Sequence, residues 1–172
     1  MISAKKLDLR ITQMQFDTVT RFIDGHGIRG EGYKVERTYL PRKIADLLID
    51  QLPKDLIPAI IGYNKSTITD LEPHAHHIEQ CVINFYYSTN GATTTFYEGD
   101  IVLKDSPEND SAYYLVDTAG MLLGDSFKAT DGDVWILNSR KAHSVVAGTA
   151  EKRHIIQIYL DVPFEKALAY FS

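Results

Sequence analysis

The part of the chain after Pro53 is a succession of short β-forming runs. Segments rich in Ile, Val, Tyr, Phe and Thr alternate there with turns that contain Gly, Asn and Asp. We predict strands over residues 57–63, 66–71, 80–87, 93–97, 112–116, 121–128, 133–137, 144–146 and 154–160. Many short strands at regular spacing are typical of a β-sandwich or a barrel, and either fold encloses an interior between its sheets.

The N-terminal part has helical patterns instead. Residues 12–24 predict a helix opened by a capping box between Thr12 and Gln15. Residues 40–52 predict a second helix, with Pro41 in its first turn and Pro53 at its end. We therefore predict a single domain over residues 1–172, with a mainly helical outer layer (1–56), a β core (57–162) and a short C-terminal helix (163–172).

Composition excludes several classes of partner. The chain has 172 residues, 18 of them basic and 23 acidic, and a formal net charge of −5. Because nucleic-acid surfaces rely on clustered Lys and Arg, which are scattered here, we expect no nucleic-acid partner. No apolar run approaches the ~18 residues of a membrane span, and the N-terminus lacks the apolar core of a signal peptide. With Cys81 as its single cysteine, the chain is expected to be cytoplasmic; a homodimer is one option for its assembly.

The histidines predict a metal site. The segment HAHHIE contains His74, His76, His77 and Glu79, and His143 follows far downstream. Residues two apart on a strand point to the same side, so His74 and His76 can bind one ion while His143 approaches from another strand. Neutral imidazole suits Fe, Zn, Cu and Ni, whereas two His and a carboxylate suit non-haem Fe(II). The alternative is a surface cluster of histidines that binds no metal.

The last predicted strand has two different faces. One is aliphatic and suits packing against helices, and it carries His154, Ile156, Ile158 and Leu160. The other is amphiphilic and suits the wall of a cavity, and it carries Arg153, Ile155, Gln157 and Tyr159. A guanidinium binds a carboxylate through two parallel hydrogen bonds. Arg153 is therefore a candidate anchor for a carboxylate ligand, and a surface salt bridge is the alternative.

Two sequence blocks carry a resemblance to a known family. The first is PHAHHIEQCVINFYYSTNGATTTFYEGD (73–100), and the second is DGDVWILNSRKAHSVVAGTAEKRHIIQIYLD (131–161). With these blocks the chain resembles the 2-oxoglutarate- and Fe(II)-dependent oxygenases from about Tyr63 to Asp161. That family shows His-x-Asp/Glu, then a remote His and an Arg. The resemblance implies a mainly β (α+β) fold: a double-stranded β-helix, or jelly-roll barrel, with the N-terminal helices packed outside.

The resemblance also implies roles for particular residues. In one alignment, Fe(II) is held by His74, His76 and His143, so that an imidazole replaces the family's carboxylate. In the other, His77 and Glu79 supply the His-x-Glu pair, and both alignments stay open here. The resemblance implies that Arg153 binds the distal carboxylate of the cofactor 2-oxoglutarate and that Asn84 and Tyr86 contact the same cofactor. For Asn84 and Tyr86 the alternative is a hydrogen-bonded pair that lines the barrel. Relatives often have Ser or Thr two residues after that arginine, where this chain has Ile155.

The implied function is that of an Fe(II)- and 2-oxoglutarate-dependent oxygenase, most simply a hydroxylase. It would consume O2 and act on a small molecule or a peptide side chain, because the short chain has few insertions with which to hold a larger partner. One alternative is a three-His cupin-type metal dioxygenase that does not use 2-oxoglutarate. The other is a non-catalytic jelly-roll module. An imidazole in place of the carboxylate favours the first alternative, whereas Arg153 favours 2-oxoglutarate.

Three further features of the β core are predicted to serve packing only. Trp135 alternates with Val134 and Ile136, and we expect it to point outward. Thr93 to Thr95 are expected to be β-formers without a ligand. Cys81 is expected to be a small buried residue, since no His and Asp partner for a nucleophile is evident.

Overall fold

The computed structural model describes residues 2–24, 35–68, 70–89, 91–105, 113–117, 119–146 and 153–172. Within these ranges the chain forms strands, three α-helices and a 3-10 helix (Lys54–Ala59). The helices are α1 (Gln13–Asp24), α2 (Arg42–Ile49) and α3 (Phe164–Ala169). The strands are β1 (Ala4–Leu7), β2 (Val35–Tyr39), β3 (Ile60–Ile68), β4 (Leu71–His76), β5 (Cys81–Ser88), β6 (Thr93–Gly99), β7 (Val102–Asp105), β8 (Tyr113–Asp117), β9 (Met121–Lys128), β10 (Val134–Leu137), β11 (His143–Val146) and β12 (Arg153–Leu160).

The strands form two six-stranded sheets, ordered β1-β10-β5-β12-β3-β2 and β7-β8-β4-β11-β6-β9. We call them the helix-side sheet and the metal-side sheet. The chain passes from one sheet to the other at each step from β3 to β6, and again from β9 to β12. This winding of antiparallel strands is that of a double-stranded β-helix, so the predicted jelly-roll fold is confirmed.

The outer face of the helix-side sheet packs against the helices. Alternate residues of β5, β10 and β12 belong to one buried apolar cluster, together with residues of α1, α2 and α3. The aliphatic face predicted for the last strand is part of it, through Ile156, Ile158 and Leu160. Burying each such side chain stabilises the fold by ~1.5–3 kcal/mol. The opposite face of this sheet is thereby turned towards the metal-side sheet.

The predicted start of the first helix is confirmed. The backbone N–H of Thr12 donates to Oε1 of Gln15 at 2.9 Å, and the backbone N–H of Gln15 donates to Oγ1 of Thr12 at 3.2 Å. This reciprocal pair is a capping box. The side-chain amide of Gln15 also donates to the carbonyl of Leu47 at 2.6 Å, which ties α1 to α2.

Five strands differ from the predictions. The N-terminal segment contributes β1 and β2 to the helix-side sheet in addition to its helices. β3 runs without interruption through Asn64 and Lys65, where we predicted a break, because it pairs with β12 on one side and β2 on the other. β7 was not predicted, and β4 forms in spite of Pro73. In each case pairing with neighbouring strands overrides the local sequence preference.

Within the described ranges, no helix has the length and apolarity needed to span a membrane.

Candidate metal centre

Three histidine rings meet inside the barrel. His74 and His76 lie on the same face of β4, and His143 lies opposite His74 on the neighbouring strand β11. All three residues are buried, with exposed fractions of 5%, 8% and 5% respectively. One ring nitrogen from each lies within 4.8 Å of the others. The structure thus brings together the remote histidine and two of the three upstream ones.

A hydrogen bond at Nδ1 fixes the orientation of each ring. Nδ1 of His74 lies 2.8 Å from the carbonyl oxygen of Glu72, and Nδ1 of His143 lies 2.8 Å from that of Lys141. Nδ1 of His76 lies 2.9 Å from Oε1 of Glu79. A carbonyl oxygen can only accept, so the proton must sit on Nδ1 of His74 and His143, which leaves the lone pair on Nε2. Neutral imidazole with a second-shell acceptor at its other nitrogen is how proteins present histidine to a metal.

The two alternative ligands lie elsewhere. His77 is exposed and lies in the bend that follows β4. Glu79 is buried, but its carboxylate contacts the far side of the His76 ring. Among the described residues, the group with metal-binding geometry contains His74, His76 and His143. The geometry therefore favours the alignment in which an imidazole replaces the carboxylate.

The electrostatics of the site favour a neutral His143. Burial lowers the pKa of His143 well below its ordinary value of 6.5, and the neighbouring rings of His74 and His76 lower it further. The positive charge of the Arg153 guanidinium lowers this pKa as well. Since a metal binds only the neutral ring, these effects keep His143 ready to bind one at neutral pH.

The lowered pKa of His143 predicts that the metal-free protein loses stability in acid. An unfolded histidine takes up a proton near pH 6.5, whereas folded His143 does so only at lower pH. Between the two pKa values the unfolded state binds more protons, so the free energy of unfolding falls by up to ~1.4 kcal/mol for each pH unit of acidification. Urea unfolding in the presence of a chelator, from pH 7.5 to 5, measures this slope. A His143→Leu variant with an equally steep slope would contradict the assignment.

Arg153 lies in the same interior, on the inner face of the helix-side sheet. It is 3% exposed. Its Nη1 donates to Oγ1 of Thr94, on the metal-side sheet, at 3.3 Å, and its Cζ lies 5.6 Å from the centre of the Tyr86 ring. Its Nε has no hydrogen-bond partner in the described part of the chain, and no carboxylate of that part forms an ion pair with it. A buried guanidinium without an anion is costly, and an anionic ligand is the natural partner.

A chain of hydrogen bonds lines the barrel beside Arg153. Gln157 donates to Oδ1 of Asn84 at 3.2 Å, and Nδ2 of Asn84 donates to the hydroxyl of Tyr86 at 3.1 Å. The hydroxyls of Ser66 and Tyr159 both donate to Oε1 of Gln157, at 2.5 and 2.9 Å. Burial raises the pKa of Tyr86 in spite of the nearby Arg153, which lowers it, so this hydroxyl keeps its proton. The amphiphilic face predicted for the last strand therefore lines the interior.

Of the packing predictions, only the outward direction of Trp135 is wrong: Thr93 to Thr95 lie in β6 as predicted, and Trp135 does pack against buried residues. Trp135 points inward and stacks on Phe127 at a ring distance of 4.0 Å, because the outward face of β10 is the one covered by helices. Thr94 is buried and contacts Arg153; its only sequence signal was a position on a strand that follows the histidine block. Burial raises the pKa of the Cys81 thiol to about 12, which agrees with a packing role.

Comparisons by sequence give no relatives: no protein-family model matches the chain, and no curated protein matches it. Solved structures do match. HygX from Streptomyces hygroscopicus, with nickel, 2-oxoglutarate and hygromycin B bound, superposes with a TM-score of 0.62 at 13% identity over 91% of this chain and 82% of HygX. SnoN, a non-haem alpha-ketoglutarate-dependent epimerase from nogalamycin biosynthesis, gives 0.60 at 12% identity over 92% of this chain and 78% of SnoN. At such identities the likeness is one of fold, and the chain is a double-stranded β-helix protein with a buried three-histidine cluster.

Proposed function

We propose that the protein is an Fe(II)- and 2-oxoglutarate-dependent oxygenase that hydroxylates a small molecule or a peptide side chain. The observation that carries this proposal is Arg153, a buried guanidinium without an anionic partner in the described part of the chain. The guanidinium donates to Thr94, which pairs with Val145 on β11, so it reaches the sheet that carries the three imidazoles. A ligand that binds a metal with one end and an arginine with a carboxylate at the other end would match both the three histidines and Arg153.

In this proposal, each group of residues in the interior has a separate role. His74, His76 and His143 would hold the metal, and Fe(II), with O2 and 2-oxoglutarate, supplies the oxidising power for hydroxylation. Arg153 would bind the distal carboxylate of 2-oxoglutarate through its fork of N–H groups. The Tyr86 hydroxyl, held by Asn84, would donate to the same co-substrate. The apolar residues around Tyr86, among them Val145 and Ile155, exclude water from the interior.

The fold neighbours support the class of co-substrate. 2-Oxoglutarate is bound in HygX and is named as the co-substrate of SnoN, and both are similar to this chain along most of their length. HygX also binds hygromycin B, a small molecule. We infer from them that a small-molecule substrate is the first to test. SnoN is an epimerase, so screening should detect a change of configuration as well as hydroxylation.

One observation favours a second function, that of a three-His metal dioxygenase without 2-oxoglutarate. The described metal group contains imidazoles and no carboxylate. Three neutral ligands leave a divalent metal with its full charge, which strengthens its attraction for an anionic substrate bound directly to it. This second function gives Arg153 no role unless the substrate is itself a carboxylate.

Co-substrate binding distinguishes the two functions. The iron-loaded protein is titrated without O2 with 2-oxoglutarate and, as the matched control, with 2-oxopentanoate, which has the same carbon chain but no distal carboxylate. We expect 2-oxoglutarate to bind at least ~10-fold more tightly, since a charge-assisted hydrogen bond contributes ~1.5–3 kcal/mol. Admission of O2 should then yield succinate. Iron-loaded protein that neither binds 2-oxoglutarate nor forms succinate would overturn the proposal.

A further inference from the structure

One of the three rings has an acceptor that differs from the others. His74 and His143 each donate Nδ1–H to a backbone carbonyl, whereas Nδ1 of His76 faces the side-chain carboxylate of Glu79 at 2.9 Å. Glu79 is 6% exposed, so this contact is screened little by solvent. A carboxylate thus lies one imidazole away from the point where the Nε2 atoms converge.

The turn that carries Glu79 is held in place from the other side. The buried hydroxyl of Ser139 donates to the backbone carbonyl of Glu79 at 3.0 Å, and the carbonyl of Ser139 accepts from the backbone N–H of His76 at 2.8 Å. Arg140 donates to the carbonyl of Ile78 at 3.2 Å. These bonds join both ends of the segment 76–79 to one loop. The carboxylate of Glu79 therefore meets the ring of His76 in a fixed position.

We propose that Glu79 is a positioning residue that orients His76 and returns to the metal centre, through that ring, the negative charge that a carboxylate ligand would have brought directly. This inference rests on the metal site of the proposed function. A carboxylate at Nδ1 orients a metal-bound imidazole and makes it a more basic ligand. His76 and Glu79 thus act as one unit. The negative charge that a two-His, one-carboxylate site has on a metal ligand lies here behind the imidazole ring of His76.

Two variants separate the orientation of the ring from the charge. Glu79→Gln keeps an oxygen that accepts from Nδ1 but removes the charge, and Glu79→Ala removes both. Glu165→Gln removes the same charge from the exposed side of α3 and is the matched control. Each full-length protein, stripped of metal, is titrated calorimetrically with Ni(II) alone. The reduction potential of the iron-loaded form is measured separately, and thermal unfolding checks the fold of every variant.

We expect Glu79→Ala to weaken Ni(II) binding ~10- to 100-fold, the range for loss of an outer-shell partner. Glu79→Gln should bind more tightly than Glu79→Ala and less tightly than wild type. Because it lacks the charge, it should also shift the iron potential to a more positive value. Glu165→Gln should match wild type in both readouts. If Glu79→Ala does not fold, the potential and affinity of Glu79→Gln decide.

Several results would overturn the inference. Ni(II) affinities within twofold of wild type for both Glu79 variants would show that the contact has no influence on the metal. A lower melting temperature without any change in affinity or potential would show that Glu79 serves only the fold. If the wild-type protein binds no Ni(II), the metal site on which the inference rests does not exist. If the Glu79 variants behave as expected but 2-oxoglutarate does not bind, only the proposed function fails.

Discussion

Replacement of Arg153 by methionine is expected to have two opposite effects. The affinity for 2-oxoglutarate should fall ~10- to 100-fold, since a charge-assisted hydrogen bond contributes ~1.5–3 kcal/mol and each 1.4 kcal/mol is a factor of ten. The free energy of unfolding of the ligand-free protein should rise by ~1–4 kcal/mol, because an uncompensated buried charge is exchanged for an apolar side chain of similar length. A substitution that weakens ligand binding but stabilises the ligand-free protein indicates that the original residue serves the ligand and not the fold.

Calorimetric titration of 2-oxoglutarate and urea unfolding measure the two effects on the same samples. Arg153→Lys keeps the charge but loses the fork, so its affinity should fall between those of wild type and methionine. Arg42→Met, at an exposed arginine of α2 that pairs with Asp46, is the control and should leave binding of 2-oxoglutarate unchanged. A methionine variant that is less stable than wild type would indicate that Arg153 is held by the contacts with Thr94 and Tyr86 alone.

Replacement of His143 by alanine is expected to lower the affinity for a divalent metal by more than ~100-fold. Changes to outer-shell partners already cost 10- to 100-fold, and this change removes a ligand. His143 is also the sole member of the group on β11. Without it, only the two rings on β4 remain as ligands, and two imidazoles hold a metal more weakly than three. Metal-dependent binding of 2-oxoglutarate should disappear with the metal.

Metal content after dialysis, together with calorimetry, measures this loss. His77→Ala is a matched control, since it removes a histidine from the same segment at an exposed position; we expect wild-type metal affinity for it. Loss of metal from His77→Ala as well as from His143→Ala would favour the alternative alignment through His77 and Glu79, in which His143 is also a ligand. The metal-free stability of His143→Ala should be close to that of wild type at neutral pH, apart from the cavity left by the ring.

Strand alternation in the sequence was sufficient to predict the two faces of β12. Residues of one parity pack against the helices, and those of the other, Arg153 and Gln157 among them, line the interior. The same rule predicted that His74 and His76 point to one side. These predictions succeed because side chains on a strand alternate whatever the surroundings are. The jelly roll itself followed from the number and spacing of the β-forming runs and from the family resemblance.

The third ligand was not decided by sequence because Glu79 lies within reach of two different partners. A carboxylate three residues after His76 can approach a metal directly or support the ring from behind, and the spacing is the same in both cases. The difference lies in the turn fixed by Ser139, which comes from a remote segment. The acceptors for His74 and His143 are backbone carbonyls, which carry no sequence signal. Trp135 was placed on the wrong side because the alternation of β10 gives two faces but not which of them the helices cover.

The tethering of all three rings at Nδ1 has a consequence for metal supply. The tethers present three neutral nitrogen donors to whichever ion arrives, and the affinity of such donors for divalent metals generally follows the Irving–Williams order. In that order Fe(II) binds more weakly than Co(II), Ni(II) and Cu(II). The protein is therefore expected to emerge from a purification carrying whichever competing ion was most available. The iron-dependent activity proposed above would then be governed in a cell by how tightly nickel and copper are kept away from the protein.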